Sequence, residues 1–452
     1  MHSFKQPAFV PLPSRAALRL AVLLGCAAAG ASSLATAASP EQLEQRLEQL
    51  SSELASVKAE LAELKAQREA AAPAGVTSGP VGTVTTPATV ATATPLAAAT
   101  GRGGPTFFGY GELNYSRPSD DGAAANADLA RFVLGVGYQF DDRTHFNSEL
   151  ELEHAVSSSA DAGEIEVEQA YIDRDLGHGV YARAGLMLMP VGLLNENHEP
   201  TRYYGAVRNN VETAIIPTTW REGAVALQAT TPGGWRWDLG ASTGFDLSKW
   251  DATSGEGAES PLGSIHQEMS LARAHDLSGF GAVNYTGVPG LRAGASLFTG
   301  GAAQGQSGFG RSRVTLWEAH ARWTPGNADL AALYARGTIS GTRDINLTLV
   351  GNPTLVPEQF FGWYVQGAYH LLSERAHPLS PFVRYERYNT ASAYAAIAPG
   401  LTPAVQPDRQ VWTAGFNVSV APGVVVKADY SWFRQAQAAD SDRLDIGLGY
   451  EF

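Results

Sequence analysis

The last ten residues, Arg443-Leu444-Asp445-Ile446-Gly447-Leu448-Gly449-Tyr450-Glu451-Phe452, alternate without a break. Leu444, Ile446, Leu448, Tyr450 and Phe452 point one way, and Arg443, Asp445, Gly447, Gly449 and Glu451 the other. A period of two marks a strand with one apolar face. Upstream, Val426, Ala428, Tyr430 and Trp432 alternate with Lys427, Asp429 and Ser431. Further back, Phe132, Leu134, Val136, Tyr138 and Phe140 alternate with Arg131, Val133, Gly135, Gly137 and Gln139. The pattern recurs in about sixteen segments between Thr106 and Phe452.

A soluble sandwich would alternate in the same way, so the connections must separate the two cases. Short ones are Asp141–Arg143, Asp175–Gly179, Thr231–Gly234, Val288–Gly290, Pro325–Asn327, Ser373–Pro378 and Ala421–Gly423. Longer, more polar ones come between them: Pro118–Asn126, Pro190–Arg221, Leu247–Ala274, Gly341–Glu358 and Thr390–Asp408. Val156–Gly163 and Ala438–Asp442 are modest. Short turns on one side and long loops on the other, with an even strand count, are the transmembrane barrel pattern. Aromatics agree. Tyr138, Phe140, Trp235, Trp237, Trp323, Tyr450 and Phe452 all fall at short-turn ends, as one interfacial girdle would require. The expected fold class is all-β, a transmembrane antiparallel β-barrel of about sixteen strands over residues 106–452, preceded by an N-terminal α-helical coiled coil.

Composition narrows the function. The 452 residues carry a net charge of −13, which argues against a nucleic-acid partner. Cys26 is the single cysteine, so neither a disulfide framework nor a CxxC metal site is available. The longest apolar run, Leu20–Ala31, falls short of the ~20 residues a spanning helix needs. The ten histidines show no HExxH spacing, and no metal or cofactor is expected. Gly240–Gly244 matches the G-x-S-x-G string but sits inside an alternating strand, so it predicts no enzyme.

Residues 1–38 read as an export signal: Lys5, Arg15 and Arg19, then an apolar core, then Ala35-Thr36-Ala37 for cleavage. Leu23-Leu24-Gly25-Cys26 offers a lipoprotein signal as the alternative. Over residues 40–70, Leu43, Leu47, Leu50, Leu54, Val57, Leu61 and Leu64 make a heptad seam with Glu53–Lys58 and Glu60–Lys65 pairs, predicting a periplasmic coiled coil. A single amphipathic helix is the other reading. Residues 71–105 are an Ala/Thr/Pro linker in which only Arg102 is charged.

Sixteen strands leave a lumen, so inward residues matter most. Two acidic ladders, Glu149, Glu151, Glu153 and Glu164, Glu166, Glu168, predict one acidic wall, or else a merely solvated strand face. The inward basic set is Arg131, Arg183, Arg322, Arg384, Lys427 and Arg443. The segment Pro190–Arg221 mixes Asn195, Glu196, His198, Glu199, Arg202, Arg208, Glu212 and Arg221 with Tyr203, Tyr204, Ile215, Ile216 and Trp220. Large apolar residues need a surface to pack on, and the inner wall is the nearest. The segment is therefore expected to enter the lumen and narrow it; packing on neighbouring loops or on another protomer is the alternative.

Val167-Glu168-Gln169-Ala170-Tyr171-Ile172-Asp173, Arg183-Ala184-Gly185 and Met189-Pro190-Val191-Gly192 resemble the phosphate-selective porin O and P family. That resemblance implies a sixteen-stranded trimeric barrel in outer-membrane lipid, passing anions. It also implies that Tyr450 and terminal Phe452 are read by the barrel-insertion machinery. The family lines its channel with lysines; here Met187 and Met189 precede the loop, and the barrel region holds only Lys249 and Lys427. The fold and pore role carry over, and phosphate specificity does not. The expected function is a passive channel for small hydrophilic or ionic solutes. A cell-wall tether and a surface adhesin are the competing classes.

Overall fold

The computed structural model describes residues 104–158, 161–371, 378–436 and 441–452. The export signal, the coiled coil, most of the linker and Cys26 lie outside the described residues, as does most of the short turn before Pro378.

Sixteen strands close into one barrel, each hydrogen-bonded antiparallel to its sequence neighbours. They are β1 Thr106–Pro118, β2 Asn126–Asp141, β3 Thr144–Glu153, β4 Ile165–Gly177, β5 Val180–Leu188, β6 Arg221–Thr230, β7 Trp235–Ser242 and β8 Ser278–Tyr285. There follow β9 Leu291–Gly301, β10 Arg313–Trp323, β11 Ala328–Ser340, β12 Gln359–Tyr369, β13 Leu379–Ala393, β14 Arg409–Ala421, β15 Val424–Gln435 and β16 Arg443–Glu451. Closure comes from β1 on β16, with Tyr110 opposite Glu451 and Pro118 opposite Arg443. Closing the sheet leaves no edge, the condition for a sheet in lipid.

The faces sort as the alternation requires. On β16, Leu444, Ile446 and Leu448 are exposed on the outside, while Asp445 is fully buried inside. Trp235, Trp237, Trp323, Tyr138, Phe140 and Phe452 are all exposed at short-turn ends, where outward aromatics belong at a membrane interface. Connections at the other end include 189–220 (L3), 243–277 (L4), 341–358 (L6) and also 302–312, which the sequence reading did not single out.

One expectation of the strand pattern fails locally. The β3–β4 register shifts between Glu149 and Leu150, so Glu149 pairs with Gln169 while Glu151 pairs with Glu166. Glu166 and Glu168 keep the inward alternation, and the extra residue of the bulge brings Gln169 inward beside Glu168, where the alternation breaks. Glu164 precedes β4 and is exposed, so it is not part of the wall.

Candidate functional site

L3 lies inside the barrel, as its apolar content predicts. Val191, Leu193, Tyr203, Tyr204, Val211, Ile215, Ile216 and Trp220 are all buried. The loop is pinned at its base by Asn195, whose amide donates to the Met189 and Trp220 carbonyls at 2.8 Å each and accepts from Trp220 N at 2.7 Å. Glu212 braces the first turn: its Oε1 takes the Leu193 and Leu194 N–H groups at 2.6 and 2.8 Å, and its Oε2 takes Tyr364 Oη at 2.9 Å. Gly192 makes this brace possible; it sits at φ +76°, and a Cβ there would lie 2.5 Å from the Glu212 carboxylate.

The loop then crosses to strands on every side. Glu196 pairs with Arg236 at 2.6 Å, and His198 with Glu168 at 2.7 Å. Arg202 reaches Glu451 at 3.3 Å. Tyr203 donates to Glu112 at 2.6 Å and Tyr204 to Asp329 at 3.0 Å. Backbone groups join in: Ala206 N donates to Asp429 at 2.6 Å and Asn210 N to Glu386 at 2.6 Å. Strand glycines provide landing space, since a Cβ on Gly449 would meet Pro200 at 2.6 Å and one on Gly447 would meet Ala206 at 3.2 Å. The inward glycines of the terminal segment thus already recorded where the loop rests.

Charge states on the loop follow from these partners. Burial pushes the Glu196 carboxyl up, but Arg236, joined by Arg292 and Arg183, outweighs it, so the carboxyl lies below its ordinary range. Burial, reinforced by Glu112 and Asp329 respectively, raises the Tyr203 and Tyr204 phenols, which therefore remain donors. On L4, burial lowers the His266 imidazolium against a weaker opposing pull from Glu268.

Of the expected constriction residues, Arg202 is exposed and Arg208 half-buried, with its guanidinium 2.7 Å from Thr219 Oγ1. Glu199 is half-buried beside a recess of about 430 Å³ at the short-turn end, which Tyr110, Arg202 and Glu451 also line. Asn195 and Glu212 are buried braces instead. Arg221 is the first residue of β6 and is buried between Glu166 and Glu268. The inward arginines are not bare either. Arg131 is paired with Glu112, Arg183 with Asp173, Arg322 with Asp329, Arg384 with Glu386 and Arg443 with Asp445. Lys427 is sealed, its Nζ 3.6 Å from the centre of the Tyr203 ring and without a hydrogen-bond acceptor. The inward basic set therefore stands largely as ion pairs with neighbouring carboxylates and not as bare charge.

Part of the inner wall is covered by the loops. On β8–β12 the long-loop half of the inner wall is apolar: Phe280, Phe298, Val314, Leu316, Ile339 and Phe360. Phe245, Leu247, Trp250, Leu262 and Ile265 of L4 and Ile345 and Val356 of L6 cover it, together with L3. Trp220 is the hub, stacked on Phe245 at 5.1 Å and edge-on to Phe298 at 4.6 Å. Such a patch is dry because its lining offers water no partner.

No family model matches the chain. A protein of Aquifex aeolicus (strain VF5), itself described only as uncharacterized, is 31% identical over 337 residues, covering 72% of this chain and 75% of that one. Among solved structures, OmpF of Salmonella typhi in complex with daunomycin superposes with a TM-score of 0.55 at 12% identity, over 77% of this chain and 97% of that one. An anion-selective porin from Comamonas acidovorans gives 0.51 at 13% identity, over 77% and 99%. These likenesses show a sixteen-stranded barrel of the outer-membrane porin fold.

Proposed function

We propose that the chain, which belongs to the same family as the Aquifex aeolicus protein, is a passive pore of an outer membrane, with L3 as its constriction. The observation that carries this reading is the loop itself: one connection of a closed sixteen-stranded barrel, folded inward and tied to strands around the lumen. The permeants are small hydrophilic or ionic solutes passing where Arg202 and Arg208 keep solvent contact. An anion preference, phosphate included, rests on those two arginines and on the resemblance stated above; the sealing of Lys427 weakens it. A cation preference draws on Glu149, Glu151 and Glu168, three buried carboxylates close to one another on β3 and β4. The assembly we propose is a homotrimer in outer-membrane lipid, exported by residues 1–38 and carrying its coiled coil in the periplasm.

Planar-bilayer recording tests the reading. Replacing residues 196–210 with a short Gly/Ser link should raise single-channel conductance, because the constriction is removed. An inserted, folded barrel whose conductance is unchanged would place the constriction on the strands. A wild-type barrel that conducts nothing would favour the tether or adhesin classes. Reversal potential under a salt gradient then gives the sign of selectivity.

A further inference from the structure

Where L3 meets β3 and β4, Glu149, Glu168 and His198 bring one ligand atom each to within 4.8 Å of one another, all three residues buried. The histidine's tautomer is set by its surroundings. Nδ1 lies 3.0 Å from the Asn195 carbonyl, which only accepts, so Nδ1 carries the hydrogen. In a neutral ring Nε2 then offers only a lone pair. It faces Glu168 Oε1 at 2.7 Å, and that fully buried oxygen has no hydrogen-bond donor. The one phenolic hydrogen of Tyr110 cannot serve both, since its oxygen stands 2.6 Å from Nε2 and 3.0 Å from Glu168 Oε2. Two acceptors pressed together require a positive species between them. Local charge asks for the same thing: Glu149, Glu151 and Glu168 are buried here, and the nearby Arg131 is already bonded to Glu112 at 2.8 Å.

We propose that Glu149, Glu168 and His198 bind one divalent transition-metal ion, of the zinc type, that fastens L3 to the β3–β4 wall. An imidazole nitrogen with two carboxylates is a ligand set such ions accept. A ligating histidine commonly donates its other N–H to a backbone carbonyl, as His198 does to Asn195. Tetrahedral bonds of about 2.1 Å place neighbouring ligand atoms about 3.4 Å apart, so the 2.7 Å gap between Nε2 and Glu168 Oε1 opens by about 0.7 Å on binding, within reach of side-chain torsions. The recess at the short-turn end approaches the cluster on the side of Tyr110, which lines both, and Glu199 Oε2 there is a buried oxygen without a partner. The site escaped the sequence because its ligands come from two strands and a loop, with no local spacing to betray them. This proposal does not depend on the pore reading.

A proton on Nε2 is the rival occupant, and titration separates the two. The full chain, folded in detergent and stripped with EDTA, is titrated with zinc chloride by calorimetry and with cobalt(II) by visible absorption. One ion per chain and ligand-field bands from cobalt are expected. Glu149→Gln and His198→Gln should each weaken zinc binding more than about tenfold. Glu149→Gln keeps an acceptor for Gln169, so it spares the strand contact, and circular dichroism checks that each barrel is folded. No saturable uptake, or uptake that both variants leave unchanged, overturns the proposal and gives the gap to a proton. Should both variants fail to fold, the cobalt spectrum of the unaltered chain decides, and absent bands overturn it.

Discussion

L3 meets β1–β4 through charge and the long-loop half of β8–β12 chiefly through grease, with Asp329 and Tyr364 adding polar contacts lower on that wall. On the first side each contact is directional: Tyr203 on Glu112, His198 on Glu168, and the Arg131 guanidinium on the His198 carbonyl. On the second, Trp220, Ile215 and Ile216 are buried with Phe298, Leu316 and Phe360. Apolar burial is non-directional and scales with area, so it holds the loop in place without fixing its register. Paired charges gain less net free energy, because each was well solvated before folding, but they penalise any displacement that leaves one unpaired. The difference teaches a division of labour. The apolar side supplies most of the holding free energy, and the charged side fixes which loop residues meet which strand residues.

The sharpest way to break that comparison is to empty the apolar hub. Trp220 is fully buried between Phe245 and Phe298. Trp220→Ala should cost about 3–5 kcal/mol of stability, because it removes the buried ring and leaves a cavity. The readout is a lowered denaturant midpoint at an unchanged slope for the detergent-folded barrel. A loss below about 1 kcal/mol would mean the charged side holds the loop, reversing the assignment.

The same comparison explains what the sequence disclosed. The terminal segment showed its face pattern plainly, since Asp445, Gly447 and Gly449 sit opposite Leu444, Ile446 and Leu448. The apolar wall hid because β12 is apolar on both faces. Phe360 and Tyr364 point in while Phe361, Trp363 and Val365 flank them on the lipid side, so period two vanishes and inward aromatics pass for membrane-facing ones. L3's entry was legible from its tyrosines, isoleucines and tryptophan. The roles of its polar residues were not. Asn195 and Glu212 look like pore residues in a string of letters, yet they close the loop's own backbone bonds, which depend on how the chain folds back on itself. Likewise, the bulge at Glu168 cannot be read from an alternation that looks regular on paper.

Selectivity sharpens the comparison on the charged side, with smaller effects. Arg208 is half-buried and, among the described residues, bonded to the Thr218 and Thr219 hydroxyls and to no carboxylate. Arg208→Ala should move the cation-to-anion permeability ratio toward cations by about twofold, a shift expected of one poorly screened charge near the passage. Glu166→Gln should move it the other way and by less, because Arg221 already holds Glu166 and neutralises it locally. Reversal potentials in a salt gradient measure both. Equal and opposite shifts would show that pairing does not mute the wall.

The smallest effect is expected where the charged side is most buried. Lys427 is nearly fully buried, its ammonium resting on the Tyr203 ring with no hydrogen-bond acceptor. Its carboxylate neighbours have other partners: Glu112 holds Arg131 and Tyr203, and Asp429 accepts from Ala206 N. Removing the cation therefore leaves each of the two carboxylates at least one donor, although Asp429 Oδ1 has none. Lys427→Met is one heavy atom shorter and gives up the ammonium on the ring, but it fills most of the same volume and drops the cost of a desolvated charge. Exchanging buried charge for well-packed apolar volume is often neutral or stabilising. The unfolding free energy should stay within about 1 kcal/mol of the parent, against several for Trp220→Ala. If Lys427→Met instead costs as much as the tryptophan, the ammonium on Tyr203 is a principal anchor of L3, and the holding free energy is shared between the two walls.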